Sequence, residues 1–88
     1  MNLEKIKEIY GEEIYEDIIN NKELVMNNIN YLNSKNITII EDIIERYGII
    51  LLYEEDEFKD KIDSLINKLG DNYIEELENN VDLLEELL

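Results

Sequence analysis

Cysteine and histidine, two residue types on which much protein chemistry at neutral pH depends, are both absent from this chain. Their absence excludes a thiol nucleophile, the side chain that titrates near neutrality and the usual ligands of zinc. Carboxylates remain for catalysis or for binding Mg²⁺ and Ca²⁺, but they are spread along the sequence instead of converging in one motif. We therefore predict a protein that is not an enzyme and that has no cofactor or metal site.

Disulfides are excluded too, so the packing of apolar residues must stabilise this chain of 88 residues. Those residues make up 44% of the sequence, more than a disordered chain carries. The length predicts one domain, residues 1–88, and leaves a homodimer open as a further means of stabilisation.

Positive charge is scarce, with 8 Lys and Arg against 23 Asp and Glu and a formal net charge of -15. Such a chain is repelled by DNA, RNA and anionic membranes, so the expected partner is a basic protein surface. No run approaches about 18 apolar residues, and the first residues lack the apolar centre of a secretion signal, so we expect a cytoplasmic protein. Heavy use of Ile, Asn, Glu, Lys and Tyr is typical of AT-rich coding and favours a low-GC bacterial host or its phage as the source.

Proline is also absent, and glycine occurs only as Gly11, Gly48 and Gly70, so these glycines are the expected breaks between helices. Between them, apolar residues recur about every 3.6 residues, which predicts an all-α compact bundle of five or six short helices. The apolar run from Ile49 to Tyr53 fits a helix or an irregular buried connector or, as the less favoured alternative, a short extended segment that pairs as an edge strand across a dimer.

The segment before Gly11 is predicted to be a short helix, because its apolar residues share one face. Past Gly11 the apolar face is rotated, so we expect a kink at that glycine and a second helix to about Ile19. A polar turn is predicted from Asn33 to Asn36. The apolar face of the first helix consists of Leu3, Ile6, Ile9 and Tyr10.

Helix starts are predicted from the spacing of a capping box, in which an acidic side chain bonds back to the cap residue. A further helix is predicted from the acidic run Glu54 to Glu57 up to Gly70, because negative charge is favourable at a helix N-terminus. The pairs with capping-box spacing are Asn20 with Glu23, Thr38 with Glu41, and Asn72 with Glu75.

The C-terminal segment, Asp71 to Leu88, contains seven carboxylates and no Lys or Arg. At about 100° per residue, one row of its side chains is apolar and another is acidic, although Asn79 and Asn80 are expected to interrupt the helix. The apolar row consists of Tyr73, Leu77, Val81, Leu84 and Leu88. The acidic row consists of Asp71, Glu75, Glu78, Asp82 and Glu85.

Carboxylates about 5 Å apart along a helix approach the density of phosphates on a DNA strand, which follow one another about every 3.4 Å. The acidic row is therefore predicted to bind a protein groove that normally holds a nucleic-acid backbone. A second acidic set, Glu54, Glu55 and Glu57, is the secondary candidate for this contact. The alternative for both sets is an ordinary solvated helix surface, with the second set complementing a helix dipole.

In its small size, acidity, helical pattern and lack of His and Cys, the chain resembles small phage-encoded inhibitors of host defence, in particular anti-CRISPR proteins. The resemblance concerns overall character and carries over no residue role. It implies a protein that occupies the DNA- or RNA-binding groove of a CRISPR effector and excludes the nucleic acid. The carboxylates would then meet Lys and Arg of the target, with fast association at low salt.

A second class of function fits the same sequence: a helical interaction or assembly module, similar to a phage chaperone or an antitoxin and able to form a homodimer. In that case Ile49 to Tyr53 and the last leucines would pack against a partner helix, and salt would have little effect on binding. Those leucines are Leu83, Leu84, Leu87 and Leu88.

The remaining polar and aromatic side chains are expected to be mainly structural. The six tyrosines are expected at the edge of the core with their hydroxyls in water, although Tyr15 and Tyr31 fit their helices least well and become contact candidates if exposed. Arg46 is expected to pair with Asp42 and Glu45 in its own helix. No chemistry is assigned to Asn27, Asn28 and Asn30.

Overall fold

The computed structural model describes residues 7–8 and 11–88. Within these ranges it contains five α-helices, three 3₁₀ helices and no strand, so the predicted all-α class is confirmed. The helix predicted before Gly11 lies outside the described residues, apart from 7 and 8. The α-helices are α1 (Glu12–Asn20), α2 (Lys22–Ser34), α3 (Ile40–Tyr47), α4 (Glu55–Leu69) and α5 (Tyr73–Asn79). The 3₁₀ helices are η1 (Gly48–Leu52), η2 (Gly70–Asn72) and η3 (Val81–Leu87).

The core forms where α2 packs against both α4 and η1, with α3 against η1 and η3 and with α5 against α4. Its members are almost all aliphatic, and each fully buried side chain stabilises the fold by about 1.5–3 kcal/mol. α2, α3 and α4 supply eight of the fifteen buried apolar residues of this core. The most deeply buried are Ile18, Val25, Leu32, Ile43, Ile50, Leu51, Phe58, Ile62, Leu77 and Leu84.

Two of the three glycines break the chain through a backbone conformation that other residues rarely adopt. Gly11 has φ +89° and Gly70 has φ +78°, in the region that favours glycine. The Gly11 N–H donates to the Lys7 carbonyl at 3.0 Å, and α1 starts at the next residue. The predicted breaks at both positions are confirmed. Gly48 differs, since it has φ -54° and is buried at the start of η1.

A polar turn follows α2 as predicted, but it begins at Lys35, because Asn33 and Ser34 still belong to the helix. The turn is closed by backbone bonds. Asn36 has φ +60°, and its N–H donates to the Asn33 carbonyl at 3.0 Å. The Ile37 N–H donates to the Leu32 carbonyl at 3.1 Å, and both of these side chains are buried. This is a Schellman ending, in which a left-handed residue lets the chain satisfy the last carbonyls of the helix.

The predicted capping boxes are wrong in all three helices concerned. The N-cap residues of α2, α3 and α5 are Asn21, Ile39 and Asn72, and none of them makes a side-chain cap bond. The pairs Asn20 with Glu23, Thr38 with Glu41, and Asn72 with Glu75 therefore do not act as capping boxes.

Two polar residues at these helix starts, Thr38 and Asn21, form hydrogen bonds outside the helix that they precede. These bonds explain why capping boxes do not form there. Thr38 Oγ1 donates to Glu78 Oε1 at 3.0 Å, far along the chain, and Asn21 Nδ2 donates to the Asp17 carbonyl at 2.8 Å at the end of α1. Capping spacing is a local signal, and a more distant or preceding partner overrides it.

The apolar run from residue 49 to 53 is helical, because η1 covers Gly48–Leu52. Of the two preferred interpretations the helix is confirmed, whereas the irregular connector and the extended alternative are wrong. Ile50 and Leu51 are both fully buried. A 3₁₀ helix leaves its last carbonyls without partners inside the helix, and buried carbonyls need hydrogen bonds.

Asn28 supplies those bonds, although the sequence assigned it no chemistry. Its side chain is fully buried, and Nδ2 donates to the carbonyls of Leu51 and Tyr53, each at 3.0 Å. The Oδ1 atom of the same amide is buried without a hydrogen-bond partner. Asn28 therefore fixes η1 against α2 by a polar contact inside the core.

The C-terminal segment changes helix type at the predicted interruption. α5 ends at Asn79, Asn80 adopts extended angles (φ -151°, ψ 89°), and η3 follows. A 3₁₀ helix turns about 120° per residue, so every third side chain points the same way. Leu87 is accordingly buried with Leu84, whereas Leu88 is 62% exposed and its predicted place in the apolar row is wrong.

Candidate acidic interaction surface

All five carboxylates of the predicted acidic row are exposed. Asp71 lies in η2, Glu75 and Glu78 lie in α5, and Asp82 and Glu85 lie in η3. The acids therefore follow three short helices instead of one straight helix, and the extended backbone at Asn80 separates Asp82 and Glu85 from the others.

Two acids of the row, Glu78 and Asp82, bond to α3 or to the residues just before it. Thr38 Oγ1 donates to Glu78 at 3.0 Å, and the Tyr47 hydroxyl donates to Asp82 Oδ1 at 2.7 Å. Arg46 Nη1 lies 3.7 Å from the same Asp82 oxygen. We call the resulting surface the acidic face. It consists of Asp71, Glu75, Glu78, Asp82 and Glu85 together with Thr38, Arg46 and Tyr47.

The state of the Tyr47 hydroxyl reflects this surrounding charge. Its hydrogen bond to Asp82, its partial burial and the negative charges of Asp82 and Glu85 raise the pKa of Tyr47 to about 12, while Arg46 opposes the shift. Tyr47 is therefore a neutral donor at physiological pH. The influence of Glu85 also shows that two acids of η3 approach the same ring of α3.

Arg46 joins two parts of the fold, because it forms an ion pair with Asp82 of η3. Asp42 and Glu45 were its expected partners within α3, and that expectation stays a prediction. Both side chains of the pair between Arg46 and Asp82 are 59% exposed, so the interaction is screened and weak. Asp42 lies four residues before Arg46 and hence on the same side of α3, which adds another exposed acid beside the acidic face.

Three carboxylates of the acidic face have no hydrogen bond or ion pair with any part of the chain that the structure describes. They are Asp71, Glu75 and Glu85. Glu86, which follows them, is paired with Lys68 of α4. The acidic face therefore has one cation, Arg46, among the described residues that contact it.

The second acidic set lies at the N-terminus of α4. Glu54 is the N-cap residue, and Glu55 and Glu57 lie in the first turn, where they complement the helix dipole. Glu54 and Glu57 are exposed. Glu55 is half-buried and pairs with Lys59 Nζ at 3.1 Å, so its charge is balanced within α4. This set is less available to a partner than the acidic face.

Tyrosine hydroxyls make long-range hydrogen bonds, so the expectation that they lie in water is wrong for several of them. Tyr53 donates to the Leu87 carbonyl at 2.8 Å, and Tyr73 donates to the Lys35 carbonyl at 2.6 Å. With the bond of Tyr47 to Asp82, three hydroxyls therefore hold the C-terminal segment against the rest of the fold. No local pattern marks these contacts, since the partners are distant in sequence.

Tyr31 is a structural residue instead of a contact residue. Its half-buried ring has Lys35 Nζ and Lys59 Nζ at 5.4 and 5.5 Å from the centroid, and its hydroxyl donates to Asp63. That bond, burial and the charges of Asp63 and Asp60 raise the pKa of Tyr31 to about 12. The other candidate, Tyr15, is half-buried with Lys7 Nζ at 5.6 Å from its ring.

The fold and this surface define a small all-α domain with an acidic face built from α3 and the C-terminal segment. No helix in the described ranges has the length and apolar character needed to cross a membrane. Across those same ranges, no cluster of three or more acids is arranged to hold a metal ion. No family model matches the chain, and neither a curated protein nor a solved structure matches it.

Proposed function

We propose that this protein is an acidic inhibitor that binds the nucleic-acid groove of a basic effector protein and excludes DNA or RNA by charge mimicry. A CRISPR effector is the proposed class of target. The observation that carries the proposal is the acidic face, where five exposed carboxylates are accompanied by one described cation, Arg46. An ordinary solvated surface mixes charges of both signs.

The spacing of the carboxylates supports mimicry of a phosphate backbone. Glu75 and Glu78 are about 4.5 Å apart along the axis of α5, since an α-helix rises about 1.5 Å per residue. Asp82 and Glu85 are about 6 Å apart along η3, since a 3₁₀ helix rises about 2 Å per residue. Both distances are of the order of the phosphate spacing of about 3.4 Å along a DNA strand.

Anchoring of the acidic face supports the same proposal. Tyr47, Tyr53 and Tyr73 hold the C-terminal segment against three other parts of the fold. A surface that is ordered before binding loses less conformational entropy when a partner engages it. The carboxylates are thus presented on a fixed support instead of a free acidic tail.

The alternative, an apolar assembly module, finds less support in the structure. Most of the apolar residues that it requires are used in the core of this same chain. Ile50, Leu51, Leu84 and Leu87 are each at most 5% exposed. Among the described residues the exposed large apolar side chains are Ile19, Met26, Ile49 and Leu88.

A charge-reversal experiment tests the proposal with a matched control. The variant D71K/E75K/E85K reverses carboxylates that make no hydrogen bond or ion pair with the described fold, so its helicity should be retained. The control E13K/E16K/D17K reverses three exposed acids of α1 and has the same net charge. Both are added to a panel of purified CRISPR effector complexes, and binding of labelled target DNA is measured by gel shift.

We expect the wild type and the α1 control to prevent DNA binding by one of these effectors, and the D71K/E75K/E85K variant to be at least about tenfold weaker, because each lost close charge contact is worth about 1.5 kcal/mol or more. Equal loss in both variants would assign the effect to net charge. Full inhibition by the D71K/E75K/E85K variant would contradict the mimicry.

The salt dependence of binding distinguishes charge mimicry from an apolar assembly module. Binding that depends on many charge contacts should weaken by orders of magnitude between about 0.05 and 0.2 M salt, as it does for nucleic acid itself. Apolar packing against a partner helix would be almost unaffected over this range. The measurement is the dissociation constant of the inhibitor and the effector at both salt concentrations.

A further inference from the structure

A groove of about 310 Å³ lies where α4 ends and η2 begins, and it includes one acid of the acidic face. The half-buried side chains of Ile66 and Tyr73 give it an apolar part, and the exposed Asn67 and Asp71 give it a polar part. Such a groove fits a long side chain that combines an alkyl stem with a polar head. We call it the Tyr73 groove. It is lined by Ile66, Asn67, Gly70, Asp71 and Tyr73.

The ring of Tyr73 is a fixed aromatic surface of this groove. Its hydroxyl donates to the Lys35 carbonyl at 2.6 Å, which holds the ring in place. Elsewhere in the chain a tyrosine ring is accompanied by a cation, as Tyr53 is by Lys61 Nζ at 5.2 Å from the ring centroid. No Lys or Arg of the described residues lies over the ring of Tyr73. The ring is therefore available to attract a cation from outside.

Two sources of negative charge act on the Tyr73 groove. One is the carboxylate of Asp71, which makes no hydrogen bond or ion pair with the part of the chain that the structure describes. The other is the end of α4, because the C-terminus of a helix carries a partial negative charge that favours cations. Lys68, the basic residue in the last turn of α4, is paired with Glu86 of η3. The carboxylate, the helix end and the aromatic ring thus all favour a cationic ligand.

We propose that the Tyr73 groove binds an arginine side chain of the partner protein, with the stem against Ile66, the guanidinium over Tyr73 and its N–H groups donating to Asp71. A guanidinium is planar, stacks on aromatic rings and offers several donors to one carboxylate, whereas the ammonium of lysine is a point charge. The inference rests on the proposed function, because it names the group of the partner that one acid of the acidic face meets. It adds a preference for arginine to an attraction that the other acids exert on any cation.

Amides of single amino acids test the groove without an effector protein. N-acetyl-arginine amide is titrated into the isotopically labelled protein at about 0.15 M salt, where charges are screened beyond about 8 Å. N-acetyl-citrulline amide is the uncharged probe of the same shape, and N-acetyl-lysine amide is the second cation. The variants D71N and E75Q each remove one exposed charge from the acidic face, but only Asp71 lines the groove. The readout is the NMR shift of the backbone amides of Gly70 and Tyr73.

We expect saturable shifts at Gly70 and Tyr73 with the arginine probe, binding of the lysine probe that is at least about threefold weaker, and no binding of the citrulline probe. D71N should weaken binding of the arginine probe by about fivefold and E75Q by less than about twofold, because only the first removes a carboxylate of the groove. Equal affinities of the two cationic probes would overturn the inference. Equal losses in the two variants, or equally large shifts at Glu13 and Asp17 of α1, would overturn it too.

The titration and the inhibition experiment can fail separately. Inhibition of an effector without a preference for the arginine probe would support the proposed function and contradict the arginine site. Binding of the arginine probe in the Tyr73 groove without inhibition of any effector would support the arginine site and contradict the proposed function.

Discussion

α4 and the C-terminal segment have similar lengths and are both rich in acid, yet only α4 is one uninterrupted α-helix. α4 contains Lys59, Lys61 and Lys68 among its acids, and Lys59 pairs with Glu55 one turn earlier. The C-terminal segment has no cation of its own and is divided into η2, α5 and η3. A mixed-charge helix can therefore extend for 15 residues, whereas α5, with acids alone, ends after seven.

Two physical terms produce this difference, and both act in the C-terminal segment. Like charges three or four residues apart destabilise a helix by about 0.2–0.5 kcal/mol per pair. Asn79 and Asn80 add a penalty of up to about 0.7 kcal/mol each relative to alanine. Hydrogen bonds from the hydroxyls of Tyr47 and Tyr53 to η3 then supply stabilisation that the interrupted helix lacks. The acidic face is thus held in place by contacts from the rest of the fold, whereas α4 is one continuous helix with an ion pair of its own.

Truncating a core side chain should reveal the largest difference in stability between α4 and the C-terminal segment. Phe58→Ala in α4 should lower the free energy of unfolding by about 3–5 kcal/mol, and Leu84→Ala in η3 by about 2 kcal/mol, because the C-terminal segment can detach without exposing the whole core. Both side chains are at most 1% exposed, so burial itself is matched. Urea unfolding followed by circular dichroism measures the difference. Equal losses would show that both regions unfold as one unit.

Salt should stabilise the C-terminal segment more than α4. Raising the salt concentration from about 0.1 to 1 M shortens the screening length from about 10 to 3 Å, which weakens repulsion among unpaired carboxylates. In α4 the same change also weakens favourable pairs such as Lys59 with Glu55. Amide hydrogen exchange should therefore slow more in residues 73–88 than in residues 55–69. Equal slowing in both ranges would contradict the comparison.

Alkaline titration probes one tyrosine in each region. The pKa values of Tyr31, bonded to Asp63 of α4, and Tyr47, bonded to Asp82 of η3, are both raised to about 12. Since the neutral hydroxyl is the donor, its contribution to stability is complete below the unfolded pKa of about 10 and is lost as the pH rises through about 12.

Absorbance at 295 nm should show two tyrosines ionising near pH 12. Tyr31→Phe and Tyr47→Phe should each remove one of them. If either variant leaves the late step unchanged, its hydrogen bond to the carboxylate is absent in solution.

Ion-pair variants should have the smallest effect on stability. Lys59→Met and Arg46→Gln should each change the free energy of unfolding by at most about 0.5 kcal/mol, because the side chains of both pairs are 39% to 59% exposed and solvent screens their charges. Their effects on binding should differ: Arg46→Gln makes the acidic face more negative and should tighten binding of a lysine decapeptide. Isothermal calorimetry compares the two, and equal affinities would contradict the assignment of Arg46 to the acidic face.

Local periodicity was sufficient to predict α4, and the glycines marked the end of α4 and the start of α1. In α4, Phe58, Ile62 and Leu65 repeat at helical spacing and are all buried. The same rule failed in η3, because leucine at both 87 and 88 satisfies the α and the 3₁₀ period equally. The choice depends on contacts from other helices, which no short window of sequence contains.

The composition of the acidic face could be predicted only in part. The five acids of the C-terminal segment are exposed as expected, but the contribution of Thr38, Arg46 and Tyr47 was missed. Their partners lie 35 to 40 residues away for Tyr47 and Thr38, beyond any capping or one-turn pattern. No local signal marked this contribution, because Thr38 and Arg46 each had an apparent partner within one turn of their own.

The buried amide of Asn28 has a consequence for how the chain selects a single packed state. Five consecutive apolar residues from 49 to 53 are able to enter a core in several rotations with similar burial. A hydrogen bond is directional, and one rotation brings two carbonyls to 3.0 Å from the same nitrogen. Asn28→Leu should therefore leave a collapsed core that packs in several ways, visible as broadened NMR signals from residues 48–53. The amide nitrogen of Asn28 thus selects one packing among several that would bury the same side chains.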